Sequence, residues 1–318
     1  MRGQWGWMAA FVAASALACR DAPSPQPLSL TIATGGTGGV YYPLGDMLAR
    51  RLSTQIPGVR ASALATVASV FNMQAVEEGR LDLAFTQGDV GYLAYATGTS
   101  ALPRPHGNLR GIAVLYENSV QIVTRADSGI RRLADLKGKR VGVGAAGSGT
   151  EIAARIILEA SGLQYDEVVA DDLGFAETAA QLQDRTLDAG FLFASFPVAA
   201  LTGAAATMRL RLVPVEPEVV ARIREAYPFF RPVTIPPSTY RGQDAAVPTI
   251  GVDNLLVCRA GLADDLVHQI TRVFMDSLPA LMGVHVAAGG IDPDQAPATP
   301  IPLHPGAARY YRELELVR

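Results

Sequence analysis

Arg80-Leu81-Asp82-Leu83-Ala84-Phe85 is similar to a second segment of the chain, Thr186-Leu187-Asp188-Ala189-Gly190-Phe191, so one sequence motif occurs twice. Each segment places an aspartate third and continues as an apolar strand. Each also closes a series of strand, glycine-rich loop, helix, strand and helix patterns. Two copies of one series of elements in a chain are expected to fold into two similar structural units. We therefore predict two α/β lobes of similar βαβαβ build.

The first unit is read from alternating and helical spacings of apolar residues. Its predicted parts are a strand at Leu28–Thr34, a loop at Gly35–Gly39, a helix at Tyr41–Gln55, a strand at Arg60–Ala65, a helix at Val67–Glu78 and a strand at Leu81–Thr86. The second unit follows the same order. Its parts are Val141–Gly144, Ala145–Gly149, Thr150–Ala160, Tyr165–Ala170, Phe175–Gln183 and Leu187–Phe193.

The chain is expected to cross between the lobes twice. A strand at Ser119–Thr124 leads out, strands at Pro232–Pro237 and Thr249–Val257 lead back, and a helix over Leu262–Leu281 packs on the first lobe. Lobe one is therefore predicted to hold residues 28–120 and 243–318, and lobe two residues 121–242. The predicted fold is a two-lobed α/β clamshell in which each lobe is a mixed sheet flanked by helices.

The N-terminus is typical of an exported protein. Residues 1–18 combine Arg2, an uncharged apolar run and the small residues of Ala16-Leu17-Ala18, as in a secretory signal peptide. Cys19 comes directly after this pattern, and two outcomes stay open: lipidation of Cys19 as a membrane anchor, or plain release into the periplasm. Residues 19–27 are a linker rich in proline and serine.

Composition limits the partners of this chain. Its 318 residues are 49% hydrophobic, and the net charge of −3 gives no general attraction to nucleic acid. The two cysteines, Cys19 and Cys258, cannot build a disulfide framework or a four-thiolate metal site. We expect a monomer.

The two glycine-rich loops are candidate anion sites. Both follow a strand and open a helix, so backbone N–H groups and the positive end of the helix dipole point the same way. Thr37, Ser148 and Thr150 add hydroxyl donors. Because ligands of parallel sheets bind beyond the carboxyl ends of the strands, the loops are expected to face each other across a cleft.

Nucleotide-binding, metal-binding and catalytic sites fit the sequence less well than an anion site does. Gly142, Gly144 and Gly147 have the spacing of a dinucleotide-binding loop, but the chain is predicted to be exported and the partner loop lacks that spacing. No metal-ligand or nucleophile motif occurs, and no catalytic residue, metal or cofactor is predicted. Asp82 and Asp188 are expected to make structural hydrogen bonds, whereas Asp89 is open between balancing a ligand ammonium and capping a helix.

The motifs resemble one family throughout. They include Thr34-Gly35-Gly36-Thr37-Gly38-Gly39-Val40-Tyr41-Tyr42-Pro43-Leu44-Gly45, Gln87-Gly88-Asp89-Val90, Asp135-Leu136-Lys137-Gly138-Lys139-Arg140-Val141 and Gly147-Ser148-Gly149-Thr150-Glu151. Together with the Arg80–Phe85 segment, they resemble the TAXI-type solute receptors of TRAP transporters.

This resemblance implies a periplasmic-binding-protein-like fold of the second type and a receptor without enzymatic activity. Such receptors deliver glutamate, glutamine or a dicarboxylate such as 2-oxoglutarate to membrane permease subunits. The implied ligand-binding residues are Gly36, Thr37, Gly38, Tyr41, Gln87, Asp89, Ser148, Gly149 and Thr150. Ser195 and Phe196 are also predicted to belong to the site, although their segment, residues 193–197, departs from the glycine-containing version that is usual in the family. A solute sensor that signals to a histidine kinase is the alternative, and an enzyme on the same scaffold is a third reading.

Overall fold

One continuous sheet joins the two halves of the chain in a computed structural model, which describes residues 27–99 and 103–317. Its ten strands are β1 (Leu28–Ala33), β2 (Val59–Leu64), β3 (Leu83–Gln87), β4 (Leu109–Arg125), β5 (Arg140–Gly142), β6 (Val169–Asp171), β7 (Ala189–Ala194), β8 (Leu210–Val213), β9 (Arg231–Ile235) and β10 (Val247–Arg259). The predicted signal peptide and Cys19 lie outside the described residues.

The strand order explains how one sheet serves two lobes. It runs β2-β1-β3-β10-β4-β7-β5-β6, with β8 added beside β4 and β9 beside β10. The strands β1, β2 and β3 are parallel, as are β5, β6 and β7. The long strands β4 and β10 pair antiparallel in the centre, with an irregular register between Asp253 and Leu255.

Helices cover the sheet on both faces. They are α1 (Tyr41–Gln55), α2 (Ser69–Glu77), α3 (Gly88–Ala96), α4 (Gly149–Ala160), α5 (Phe175–Gln183), α6 (Ala199–Thr207), α7 (Pro217–Ala226), α8 (Asp264–Asp276), α9 (Leu278–Val284) and α10 (Pro305–Glu313). Within the described part of the chain, no helix combines the length and apolar character needed to span a bilayer.

The apolar core divides into two sets that match the predicted clamshell. The first set draws on residues 30–116 and 255–311 and lies under α1, α2 and α8. The second draws on residues 120–252 and lies under α4, α5 and α7. Ile250 and Val252 belong to this second set, although the predicted division assigns them to lobe one, because β10 begins in lobe two and enters lobe one at about Leu255.

The two repeated aspartates have the structural role predicted for them. The Asp82 carboxylate accepts a hydrogen bond from the backbone N–H of Thr31 at 2.9 Å, and Asp188 accepts one from the backbone N–H of Arg140 at 2.9 Å. Each aspartate thus joins the start of the third strand of its unit to the first strand. The pattern repeats in sequence because the same strand junction occurs in both lobes.

Helix α3 contains Gly88 and Gly91, although glycine lowers helix propensity. Both glycines are required by packing. A Cβ on Gly88 would lie 2.7 Å from the carbonyl oxygen of Asp253, and a Cβ on Gly91 would lie 3.0 Å from Leu255 Cδ1. Close packing of α3 on β10 therefore explains glycine inside this helix.

Two predicted elements differ in the structure. The strand predicted over Tyr165–Ala170 is wrong in its first half, since Tyr165–Glu167 form a 3-10 turn closed by a hydrogen bond from the backbone N–H of Gln164 to Glu167. The helix predicted over Leu262–Leu281 is two helices, because Pro279 has no N–H to continue α8 and instead opens α9.

Replacing the first repeated aspartate should destabilise the fold. Asp82 accepts hydrogen bonds from Thr31 N, Thr31 Oγ1 and Arg259 Nε, all between 2.9 and 3.0 Å. We expect Asp82→Ala to lower the free energy of unfolding by about 2–4 kcal/mol, because part-buried donors lose their partner. The matched control Asp46→Ala removes only an accessible pair with Arg50 and should change it by about 0.5 kcal/mol or less. Urea unfolding measures both, and equal effects would contradict the structural role.

Candidate functional site

A cavity of about 390 Å³ lies between the lobes, beyond the carboxyl ends of the parallel strands. This volume is in the range of about 300–1,000 Å³ that is usual for small-molecule sites. Lobe one contributes residues 35–41, 66–69 and 87, the crossing strand β4 contributes Asn118, and lobe two contributes residues 145, 148–150, 174–177 and 193–194.

The walls of this cavity are the N-terminal ends of five helices. The lining residues Tyr41, Ser69, Gly149 and Phe175 are the first residues of α1, α2, α4 and α5, and Gln87 directly precedes α3. Each helix N-terminus presents unpaired backbone N–H groups and about half a positive charge. No Lys, Arg or His is among the lining residues, so the positive groups of the lining are backbone N–H groups. Glu177 also lines the cavity, and its carboxylate accepts a hydrogen bond from the backbone N–H of Gly174 at 2.9 Å.

A buried asparagine fixes the start of the first glycine-rich loop. Asn72 Nδ2 donates to the carbonyl oxygens of Thr34 at 2.7 Å and Phe85 at 2.8 Å. Thr66 Oγ1 donates to the same Thr34 carbonyl at 2.8 Å. The last residue before Gly35 is thereby held from two sides, and the loop leaves β1 in one defined direction.

The second loop is shaped by helix capping. Ser148 Oγ accepts from the backbone N–H of Glu151 at 3.2 Å, and the Glu151 carboxylate accepts from the backbone N–H of Gly147 at 2.9 Å. Gly144 and Gly147 adopt φ of +99° and +76°, a region that favours glycine. These constraints turn the chain so that Gly149 and Thr150 face the cavity.

Tyr41 connects the cavity wall to the central strand β10. Its hydroxyl donates to Asn254 Oδ1, at the irregularity of β10, and Asn254 Nδ2 donates to the Tyr116 carbonyl at 2.8 Å. Burial raises the pKa of Tyr41 well above its ordinary value, and the nearby Asp89 raises it further. Tyr41 is therefore a neutral hydrogen-bonding residue.

Asp89 lies behind this wall. Its side chain is fully buried in the first turn of α3, and neither carboxylate oxygen makes a hydrogen bond of standard geometry. Burial raises the pKa of Asp89 to about 7, while the adjacent backbone N–H groups of Val90 and Asp89 oppose the rise. The residue is thus a buried acid that changes charge near neutral pH.

The two lobes contact each other across the cavity. Gln87 Nε2 from lobe one donates to the carbonyl oxygen of Phe193 in lobe two at 3.4 Å. The backbone N–H of Phe71 donates to the Gly147 carbonyl at 3.3 Å, and Ile152 of α4 packs against the first-lobe core. The structure therefore shows the lobes brought together around the site.

Of the eleven residues predicted for the site, eight line the cavity. These are Gly36, Thr37, Gly38, Tyr41, Gln87, Ser148, Gly149 and Thr150. They come from both lobes and meet because each of them ends or follows a strand at the same edge of the sheet. Their role in binding a ligand stays a prediction.

Asp89, Ser195 and Phe196 do not line the cavity, which corrects their predicted placement. Asp89 points into the interior behind Tyr41. After β7 ends at Ala194, the chain turns away, and Phe196 packs against the second-lobe core. The wall expected from this segment is formed instead by the N-terminus of α5 and by Phe193 and Ala194.

Sequence reasoning missed three parts of the lining. Ser69 and the α5 residues 174–177 occupy equivalent places in the repeat, after the second strand of each unit, and the repeat itself was the signal that could have found them. Asn118 lies within β4, where no local pattern marks a cavity residue. Among the described residues, no group of three His, Cys, Asp or Glu side chains could hold a metal ion.

Two α/β lobes that share crossing strands and enclose a cavity define the architecture of periplasmic solute-binding proteins. A family model matches residues 32–314, and the chain belongs to the NMT1-like family.

Three solved structures of low sequence identity share the fold. PhnD1 from Prochlorococcus marinus, in complex with methylphosphonate, is 13% identical with a TM-score of 0.54, over 92% of this chain and 100% of that one. The alkanesulfonate-binding protein SsuA from Xanthomonas axonopodis, bound to MOPS, is 16% identical with a TM-score of 0.50, over 93% and 96%. A ligand-binding component of an ABC-type import system from Staphylococcus aureus is 12% identical with a TM-score of 0.52, over 91% and 93%.

The buried acid makes stability depend on pH. Below about pH 4 Asp89 is protonated in the folded and unfolded chains, and up to about pH 7 only the folded chain keeps the proton. Its contribution to the free energy of unfolding is therefore lost as pH rises through this window, by on the order of 4 kcal/mol. Asp89→Asn should abolish this contribution, as measured by urea unfolding across the window. Asp46→Asn is the control, and a wild-type slope that Asp89→Asn leaves unchanged would refute the assignment.

The contact between Gln87 and Gly149 should not tolerate a larger residue. A Cβ on Gly149 would collide with Gln87 Oε1, so Gly149→Ala should displace the Gln87 amide and cost about 1–3 kcal/mol of stability. The control is Gly203→Ala in α6, where a Cβ meets nothing within 4 Å and should be neutral or stabilising. Thermal unfolding compares the two variants. Equal stability of both would show that the Gln87 side chain moves freely.

Proposed function

We propose that this protein is an extracytoplasmic receptor that binds a small organic anion between its lobes and delivers it to a membrane permease. The observation that carries the proposal is the convergence of five helix N-termini on one cavity without a basic side chain. Backbone N–H groups at helix N-termini bind carboxylate, sulfonate and phosphate groups. The remaining lining is largely apolar, which suits the carbon skeleton of an organic anion.

The resemblance found in the sequence narrows this proposal. It favours a carboxylate solute, such as glutamate, glutamine or a dicarboxylate, and a TRAP-type permease driven by an ion gradient. The structural neighbours hold methylphosphonate and MOPS, so phosphonates and sulfonates are the competing classes. We also propose export to the periplasm, with Cys19 either lipidated or removed.

Binding would act on the equilibrium between separated and contacting lobes. A solute held by α1 and α2 of lobe one and by α4 and α5 of lobe two contacts both walls only when the lobes meet. The solute therefore binds the closed form more tightly than the open form. This difference in binding free energy is the amount by which the solute favours closure. The permease then recognises the closed surface.

A thermal-shift screen of carboxylates, sulfonates and phosphonates on the mature protein tests the anion class. At a hundredfold excess over Kd, a bound solute stabilises the protein by about 2.7 kcal/mol. We expect one anion class to stabilise and neutral analogues of the same shape to have no effect. Absence of stabilisation by every anion, with the protein folded, would refute the proposed function.

The first loop should contribute directly to affinity. Thr37 is an exposed residue of the cavity wall, so Thr37→Val removes a hydroxyl donor without burying a new void. We expect affinity for the solute from the screen to fall about 3–10-fold, as for one lost hydrogen bond. Thr54→Val, in the last turn of α1 and far from the cavity, is the control. Calorimetry measures both, and equal affinities would exclude Thr37 from the site.

A further inference from the structure

Within the described part of the chain, Glu177 is the one residue with a charged side chain that lines the cavity. It lies in the first turn of α5 in lobe two and is exposed. Its carboxylate accepts a hydrogen bond from the backbone N–H of Gly174 at 2.9 Å, and Gly174 is itself a lining residue. No Lys, Arg or His among the described residues forms an ion pair with this carboxylate. The lobe-two wall therefore holds a negative charge in a fixed position.

The first turn of α5 faces the first glycine-rich loop across the gap between the lobes. A Cβ on Gly38 of that loop would lie 3.9 Å from Ala176 Cβ. Thr37 on one side and Glu177 on the other are both exposed, and both line the cavity. A solute that contacts both lobes here therefore comes close to the Glu177 carboxylate.

The two lobes differ in charge at the helix N-termini around the cavity. In lobe one, α1 and α2 begin without a capping side chain and without an acidic residue in the first turn, and the Asp89 side chain of α3 is buried behind the wall. In lobe two, Glu151 of α4 and Glu177 of α5 each accept a backbone N–H at 2.9 Å. A carboxylate in this position offsets the positive end of the helix dipole. The acidic group of a solute is therefore favoured near lobe one, and a neutral or positive group is favoured near α5.

We infer that Glu177 sets the charge of the solutes that the cavity accepts, because it repels a second negative group and favours a neutral or cationic one. This inference rests on the proposed function, since it describes the far end of the same anion. Charges in a partly buried site interact more strongly than they do in bulk water, so one fixed carboxylate is enough to separate these classes. The solutes selected are monoanions and zwitterions, and dianions without a cationic group are rejected.

Three solutes that share an acidic group and differ in charge at the far end test this selection. The carboxylates are 5-aminopentanoate, glutaric acid monoamide and glutarate. The sulfonates are 2-aminoethanesulfonate, 2-hydroxyethanesulfonate and sulfoacetate, and the phosphonates are 2-aminoethylphosphonate, 2-hydroxyethylphosphonate and phosphonoacetate. Calorimetry on the mature wild-type protein at neutral pH and constant ionic strength gives each Kd. In the class that binds, we expect the member with a second acidic group to bind at least about tenfold more weakly than the neutral member.

Glu177→Gln tests whether the selection comes from this side chain. Glutamine can still accept the Gly174 N–H, as either residue does in a capping box, so the variant removes the charge and keeps the start of α5. It should bind the dianionic member about tenfold more tightly than the wild type does and the cationic member more weakly, with the neutral member within about twofold.

Glu167→Gln is the matched control. Glu167 accepts the backbone N–H of Gln164 at 2.9 Å in the same way, but it is not among the lining residues. Because solvent and salt screen distant charges, this variant should leave all three affinities within about twofold of the wild-type values.

The outcomes separate this inference from the proposed function. If the wild type binds the dianionic member as tightly as the neutral one, the charge selection is overturned and an anion receptor is left in place. Affinity ratios that Glu177→Gln leaves unchanged overturn it as well. The wild-type ranking decides the matter by itself if that variant fails to fold. Binding of no member of any series, by the wild type or by Glu177→Gln, refutes the proposed function and the inference together.

Discussion

The first turn of an α-helix leaves backbone N–H groups that the helix cannot satisfy, and the arrangement of this protein follows from where those groups go. In each lobe the parallel strands end at the same edge of the sheet, and the next helix begins there. Two lobes built this way and facing each other bring five such beginnings around one cavity. Backbone N–H groups at this edge would support the anion binding that we propose, and the lining side chains would then distinguish one anion from another.

That geometry depends on a few buried polar side chains. Asn72 and Thr66 hold the end of β1, while Asp82 and Asp188 join the third strand of each unit to the first. The side chain of Asp89 is different, because it is buried without comparable hydrogen bonds beside the cavity wall. The side chains named here as fixing the framework are thus paired. Buried side-chain atoms of Gln87, Asn118 and Asp89, in or behind the cavity wall, have no hydrogen-bond partner, and the same holds for atoms of four other described residues.

Much of the fold could be predicted because it follows from local sequence patterns, and these patterns occur twice in the chain. The repeated aspartate, the two glycine-rich loops and the helix at Phe175–Gln183 all rest on neighbours in sequence. The failures have a common cause, which is contact over long sequence distances. Helix α3 keeps Gly88 and Gly91 because β10 passes close by, and Asn118 becomes a cavity residue because β7 arrives beside β4. Ser195 was expected in the wall for its position after β7, but the chain turns away there.

The crossing strands have a mechanical consequence. β4 and β10 carry the ladder without a break through both lobes, so no flexible linker separates them. Any separation of the lobes would twist these strands, whose register is irregular between Asp253 and Leu255 and again between Leu256 and Val257. Asn254 sits at the first of these points and holds Tyr41 of the cavity wall. Twist in these strands would therefore move the Asn254–Tyr41 contact, so that separating the lobes would change the shape of the cavity as well as its width.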